Sequence, residues 1–189
     1  LRTSPMGEVF LDGCRVPATA LLGSVGSGAM VFNQTMDTER LLVMAPAIGV
    51  MERLLERCVR HARERRTGPK PIGAHQAVSH PIADMELDLD SSRLLLYRAA
   101  SRAMHHGTAT RESALAKLAV SEAYIRCCRT AMQVFGGYGY TVEYGLEREL
   151  RDALIDHGIT VNPESIRRFL HAEGLSFKKK RGGNRAGPT

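Results

Sequence analysis

Residues 44–59 read MAPAIGVMERLLERCV. Apolar side chains recur there at steps of three or four residues with charged residues between them, the pattern of an amphipathic helix. We predict a helix from about residue 29 to residue 65, kinked at Pro46 because proline lacks the N–H that the helical ladder needs. Its buried face is predicted to consist of Met44, Ile48, Met51, Leu55 and Cys58 or Val59.

The same periodicity predicts three further helices, at about residues 74–106, 111–135 and 143–154. Gly107 is expected to end the first of these three helices. Long helices joined by short connections favour an all-α fold, an antiparallel four-helix bundle. The inner face of the helix at 74–106 is predicted to consist of Ile82, Met85, Leu89, Leu94 or Leu95, and Tyr97.

The segment before the bundle has a different character. Residues 8–11, EVFL, have the composition of a β-strand, and Asp12-Gly13 is a typical turn pair. We predict a short strand there. One strand cannot form a sheet alone, so its partners must come from elsewhere.

Length and composition bound the class of protein. The chain has 189 residues, of which 43% are hydrophobic and 24% charged, which fits one or at most two globular domains and excludes wholesale disorder. No apolar run is long enough for a membrane span, and no apolar leader is present. The four cysteines lack CxxC spacing, so we predict no metal site and no disulfide framework, but reduced thiols in a cytoplasmic protein.

Six segments, taken in order, make residues 3–154 resemble the C-terminal part of acyl-CoA dehydrogenases. These segments are GEVFLDGCRVP, MDTERL, HARERRTGPKPIGAHQAVSHPIADM, RLLLYRAA, QVFGGYGY and ERELRDA. The resemblance implies that residues 28–154 are the helical bundle that covers FAD and builds a homo-oligomer, a dimer or a tetramer. Residues 1–27 would then be the remnant of a central β-domain with its linker, and the chain part of a longer fold.

The resemblance also implies an activity. Members of this family use FAD to remove a proton from Cα and a hydride from Cβ of an acyl thioester, carried by CoA or by a carrier protein. The stretches MDTER and APAIGVMERLLERC look most like members that act on carrier-protein-bound acyl groups.

The family's cofactor contacts can be carried over residue by residue. Arg65 matches an arginine on the FAD phosphates, for which a guanidinium offers a two-pronged donor. The alternatives are that Arg65 is an ordinary surface arginine and that GGYGY is only a helix-ending turn. The resemblance also implies a partner-subunit contribution, because residues 133–137 match a stretch that approaches the adenosine end of FAD from a partner subunit. The other positions that match cofactor contacts are Thr67, Gln76, Gln133, Val134, Phe135, Gly136 and Gly137.

The catalytic base is placed by the motif MDTER. The family keeps its catalytic glutamate in one of two places, and this motif matches the place on the first long helix, with Glu39 as the base and Arg40 on the substrate side. The alternative is that Glu39 is an acidic residue in the first turn of a helix, favoured by the helix dipole. The stretch at residues 65–69, RRTGP, departs from the usual RxxFG of the family because it lacks the aromatic residue.

Residues 155–189 carry much of the net charge. They hold 7 Lys/Arg and 3 Asp/Glu, and so contribute +4 of the chain's +6. Residues 155–181 resemble part of the helix-turn-helix of insertion-sequence transposases, and the basic composition suits contact with nucleic-acid phosphates. The alternative is a basic tail without a specific function. A gene fusion would explain the change in character after Leu154.

Two hypotheses follow from these resemblances. The first is an FAD-dependent acyl-CoA or acyl-carrier-protein dehydrogenase. The second is a non-catalytic remnant, a self-associating bundle whose basic tail binds nucleic acid.

Overall fold

The structure is a computed structural model that describes residues 7–156, with side chains described up to residue 152. The predicted transposase-like tail therefore lies outside the described residues. The chain divides into two units, one ending at Met36 and the other beginning at Asp37.

The first unit is an extended segment that leads into a helix. It contains a 3-10 turn at Ala18–Ala20 and most of helix α1 (Gly28–Leu42). The predicted strand at residues 8–11 is not formed: these residues have no strand partner among those described, and Val9 and Phe10 are each 84% exposed. Backbone groups of an isolated strand have no ladder to join, so the apolar composition alone does not produce one.

The second unit is a helical bundle, as predicted. Strand β1 (Arg66–Thr67) pairs antiparallel with β2 (Lys70–Pro71) in a small hairpin. This hairpin connects helices together with two 3-10 turns, at Ile72–Ala74 and Gly136–Tyr140. Besides the end of α1, its helices are α2 (Ala45–Glu64), α3 (Gln76–His106), α4 (Thr110–Phe135) and α5 (Leu146–Asp156).

Pro46 begins a helix and does not kink one. The single helix predicted for residues 29–65 is broken between Leu42 and Ala45, and Pro46 is the second residue of α2. The first turn of a helix is where a missing N–H is tolerated, because that N–H has no partner within the helix.

Helix α4 packs against the other helices of the bundle, α2, α3 and α5. Helices α3 and α4 run antiparallel, and Arg126 donates to both carboxylate oxygens of Asp88 through Nε (3.0 Å) and Nη2 (2.8 Å). Gly107 ends α3 as predicted, with φ +71° and its N–H bound to the Ala103 carbonyl at 3.0 Å. The largest fully buried side chains include Met51, Leu54, Met85, Leu89, Leu146, Leu150 and Val120.

The predicted inner face was correct for α2 but only in part for α3. In α3, Met85 and Leu89 are buried, but Leu94 is 70% and Tyr97 64% exposed. The buried face continues through Ser92, Leu96 and Ala99, which keep the three- and four-residue steps. Leu95, the alternative to Leu94, and Ile82 are partly buried against the core. The prediction was therefore wrong only for Tyr97.

None of the helices in the described part of the chain combines the length and apolar character needed to cross a membrane.

Candidate cofactor site

Two segments far apart in sequence meet at the C-terminal end of α2. The His61 ring stacks on Phe135, the last residue of α4, with centroids 4.3 Å apart and planes 16° from parallel. At Arg65, the residue that follows α2, the guanidinium carbon lies 5.6 Å from the centre of the Tyr138 ring. The structure thus brings Arg65, predicted to bind cofactor phosphates, next to the predicted cofactor segment at residues 133–137.

Four rings form the aromatic cluster of this site: His61, Phe135, Tyr138 and Tyr144. Tyr144 lies 5.4 Å from Phe135 and 5.6 Å from Tyr138, between ring centroids. Arg57 contacts two members of the cluster. Its guanidinium carbon lies 5.6 Å from the Phe135 ring centroid, and its Nη2 donates to the Tyr144 carbonyl at 2.6 Å.

Sequence reasoning missed Arg57, His61 and Tyr144. A signal was available for the first two, since residues 57, 61 and 65 follow at steps of four and share one face of α2. Tyr144 had no comparable signal, because its place depends on how the turn after α4 folds.

The turn at Gly136–Tyr140 owes its shape to its glycines. Gly136 has φ +56°, a left-handed conformation that other residues rarely adopt. Gly139 packs against α4 so closely that a Cβ there would lie 2.9 Å from the Met132 carbonyl oxygen. GGYGY is therefore a helix-ending turn, as the alternative interpretation expected, and this turn also carries Tyr138 to Arg65.

His61 stacks as a neutral ring at neutral pH. Burial lowers the pKa of His61 below its ordinary 6.5, and the nearby positive charge of Arg65 lowers it further, while Glu64 acts in the opposite direction. The cluster therefore gains no third positive charge beside Arg57 and Arg65 under neutral conditions.

The predicted cofactor residues differ in exposure. Gln133, Gly136 and Gly137 are exposed, but the side chains of Val134 and Phe135 are buried, at 9% and 6% exposure. Any contact from these two residues to a ligand must therefore come from backbone atoms.

The remaining predicted cofactor residues also lie on the surface. Thr67 is in β1, paired with Lys70, and Gln76 is the first residue of α3. Both side chains are exposed. Among the described contacts none joins Gln76 to the aromatic cluster, so its part in the same site stays a prediction.

Glu39 lies in the last turn of α1, so the interpretation of it as a first-turn acid was wrong. The helix dipole disfavours a carboxylate near the C-terminus of a helix, so Glu39 does not stabilise α1. The Glu39 side chain is exposed. Arg40 pairs with Asp37, Nη1 to Oδ1 at 3.1 Å, and Asp37 also accepts a hydrogen bond from the Thr110 hydroxyl.

The surface around Arg65 fits a phosphate-bearing ligand such as FAD. Arg65 is exposed and takes part in none of the salt bridges found among the described residues, so its donors are available to an anion. At Gly136 and Gly137 nothing lies within 4 Å of the place where a Cβ would stand. Across the part of the chain that is described, no three His, Cys, Asp or Glu residues are grouped to hold a metal ion.

Comparison with known proteins shows the family of the bundle. A family model described as the C-terminal domain of acyl-CoA dehydrogenase matches residues 26–159. The chain belongs to the acyl-CoA dehydrogenase family. In this family, the helices described above constitute the C-terminal domain.

Three relatives illustrate the similarity. The L-prolyl-[peptidyl-carrier protein] dehydrogenase of Pseudomonas fluorescens is 46% identical over 154 residues, which is 82% of this chain and 40% of that protein. The crystal structure of the prolyl acyl carrier protein oxidase AnaB superposes with a TM-score of 0.74 at 36% identity, over 88% of this chain and 44% of that one. The structure of PigA with FAD and proline gives a TM-score of 0.72 at 30% identity, over 85% and 42%. This acyl-CoA dehydrogenase family chain thus spans less than half the length of these relatives.

Proposed function

We propose that this chain is the C-terminal bundle of an FAD-dependent dehydrogenase that oxidises the CH–CH group of an acyl thioester. The observation that carries the proposal is the meeting of Arg65 with the turn after Phe135, since the two predicted cofactor segments form one surface of one chain. If residues 133–137 reach FAD from a partner subunit, Arg65 on the same surface would contact that same FAD. FAD, when bound, supplies the hydride chemistry, and the protein supplies position and electrostatics.

Each of the predicted cofactor residues on the surface around Arg65 has a proposed role in holding FAD. Arg65 would bind phosphate oxygens through paired N–H donors. Gly136 and Gly137 permit a ligand to approach the backbone closely, because no Cβ projects there. The exposed hydroxyl of Thr67 and the exposed amides of Gln76 and Gln133 would donate to the remaining polar atoms of the cofactor.

The proposed substrate is an acyl group carried by a protein, in preference to one carried by CoA. Two of the similar proteins, the Pseudomonas fluorescens dehydrogenase and AnaB, are named for prolyl groups on carrier proteins. Glu39 is the proposed base that takes the proton from Cα, with Arg40 on the substrate side. The Glu39 carboxylate is exposed, and the neighbouring Arg40 is paired with Asp37. Glu39 is therefore available to take the proton.

The first test is visible absorbance of the purified chain after FAD is added and the excess removed. We expect a retained flavin band at about 450 nm. Arg65→Leu should weaken retention, and Arg98→Leu, the same change at an exposed arginine of α3, should not. A colourless protein at every FAD concentration would contradict the assignment of the cofactor to this chain.

A second test addresses Glu39. In a preparation that retains FAD, Glu39→Gln should leave flavin binding unchanged and abolish flavin reduction by the acyl thioester, because the amide cannot accept the proton. Reduction at an undiminished rate would show that the base lies elsewhere.

A homo-oligomer is also proposed, formed through the bundle. The outward faces of α3 and α4 expose apolar side chains, with Leu94 at 70%, Tyr97 at 64% and Leu118 at 62% exposure. Apolar surface of this kind is typical of protein interfaces. The same observation favours the second candidate function, a self-associating bundle without catalysis, which would show association without retaining flavin.

Nucleic-acid binding belongs to that second candidate. It rests on the excess of basic residues at 155–189. DNA binding that weakens steeply with salt, in a chain that retains no flavin, would support it.

A further inference from the structure

Arg65 and Tyr138 form a pair that joins α2 to the turn after α4. The guanidinium carbon lies 5.6 Å from the ring centroid, inside the range of a cation–π interaction. Because Arg65 takes part in no salt bridge among the described residues, this ring is what orients its guanidinium.

The backbone of each partner is fixed independently of the pair. The Arg65 N–H donates to the His61 carbonyl at 2.8 Å, and the Arg65 carbonyl accepts from the Ile72 N–H at 2.8 Å. The Tyr138 carbonyl accepts from the Thr141 N–H at 3.1 Å and from the Thr141 hydroxyl at 3.0 Å. The local backbone of each residue is therefore held by bonds that do not involve the side-chain pair.

The Tyr138 ring is held in turn by the aromatic cluster. It lies 5.6 Å from Tyr144 and meets His61 edge-on at 6.4 Å, between centroids, yet it stays 44% exposed. Because the aromatic cluster holds the Tyr138 ring while much of the ring stays exposed, the ring can orient a surface arginine without burying it. The loop at residues 65–69 has no aromatic residue of its own.

We propose that Tyr138 is a positioning residue, which holds the Arg65 guanidinium ready for a phosphate of FAD; this inference rests on the proposed function. A free arginine side chain loses rotamer freedom when it binds an anion. A guanidinium already oriented by Tyr138 loses less, so the phosphate is bound more tightly. The ring does not need its hydroxyl for this.

The test compares Tyr138→Leu, Tyr138→Phe and the control Phe32→Leu, which also replaces an exposed aromatic ring by leucine, in α1 and outside the proposed interface. In the full chain we expect Tyr138→Leu to weaken FAD binding by about two- to five-fold. Tyr138→Phe should bind as the unmodified chain does, because the ring face is kept. Equal weakening by the phenylalanine and leucine variants would overturn the proposal.

A second readout needs no FAD. The Nε–Hε resonance of Arg65, assigned with Arg65→Lys, should show the ring-current shift of an aromatic neighbour. That shift should be lost in Tyr138→Leu and kept in Tyr138→Phe and Phe32→Leu, with unchanged melting temperatures. If the unmodified chain retains no FAD, the proposed function fails, and an Arg65 resonance that is unaffected by Tyr138→Leu would overturn the pairing separately.

Discussion

Gly139 is required by a contact and not by an unusual φ angle. Its Cα approaches α4 so closely that a Cβ would lie 2.9 Å from the Met132 carbonyl oxygen and 3.2 Å from the Met132 Cα. These are backbone atoms in the last turn of a packed helix and cannot move aside cheaply. We expect Gly139→Ala to lower the free energy of unfolding by about 1–3 kcal/mol, measured by urea denaturation.

Gly137 supplies the matched control, since a Cβ there meets nothing within 4 Å. Gly137→Ala should change the free energy of unfolding by less than about 0.5 kcal/mol. Equal losses in the two variants would mean that the turn needs flexible backbone at both positions, and that the contact with Met132 is not what matters.

The buried thiols predict a dependence of stability on alkaline pH. Burial raises the pKa of Cys58 and the pKa of Cys127 from 9.0 to about 12. Because the folded-state values are the higher ones, the stabilisation is complete below about pH 9 and is lost as the pH rises toward 12. Cys58→Ala should therefore make the loss of stability between pH 9 and pH 11 less steep in urea titrations.

Cys14 is exposed and is the control for this experiment. A Cys14→Ala chain should follow the unmodified chain at every pH. An unchanged slope in Cys58→Ala would show that the alkaline loss of stability comes from other groups.

At the scale of the element, α3 allows a comparison between two neighbouring leucines. Leu96 is 8% exposed and Leu94 is 70% exposed on the same helix. Leu96→Ala should lower the free energy of unfolding by about 2–4 kcal/mol, because it leaves a cavity in the core. Leu94→Ala, which has the same effect on helix propensity, should cost less than about 0.5 kcal/mol at protein concentrations that disfavour association. Comparable costs would contradict the assigned face.

The elements of this fold were predictable to different degrees. The face of α2 through Met51, Leu55 and Cys58 was predicted correctly, because its apolar steps are uninterrupted. The face of α3 was predicted only in part, since the small polar Ser92 is buried in it and Tyr97 is exposed. The strand predicted at residues 8–11 failed for a different reason, because a strand depends on a partner that its own composition does not contain.

The candidate residues of the site could be named from the sequence, but their assembly could not. Arg65 and the segment at residues 133–137 were each predicted from motifs, and the structure places them side by side. Their proximity depends on the packing of α2 against α4, which no local pattern encodes. The aromatic cluster was missed for the same reason, although its members His61 and Arg57 follow the spacing of Arg65.

At the scale of the whole molecule, the exposed apolar face of α3 predicts how copies of the chain associate. Leu94→Glu places a charge in the proposed interface, and we expect it to shift the sedimentation coefficient toward that of a monomer, because burying an unpaired charge is costly. Thr108→Glu adds the same charge at an exposed position between α3 and α4 and should leave the oligomer unchanged. An oligomer that survives Leu94→Glu would place the interface on another face.

The short connection between α3 and α4 also has a consequence for the order of folding. Only residues 107–109 separate a helix of 31 residues from one of 26. Contacts across such a hairpin close small loops and therefore form quickly, whereas the stacking of His61 on Phe135 must close a loop that contains the entire hairpin. The hairpin is thus expected to act as the nucleus of folding, and the proposed cofactor surface is assembled only after that nucleus exists.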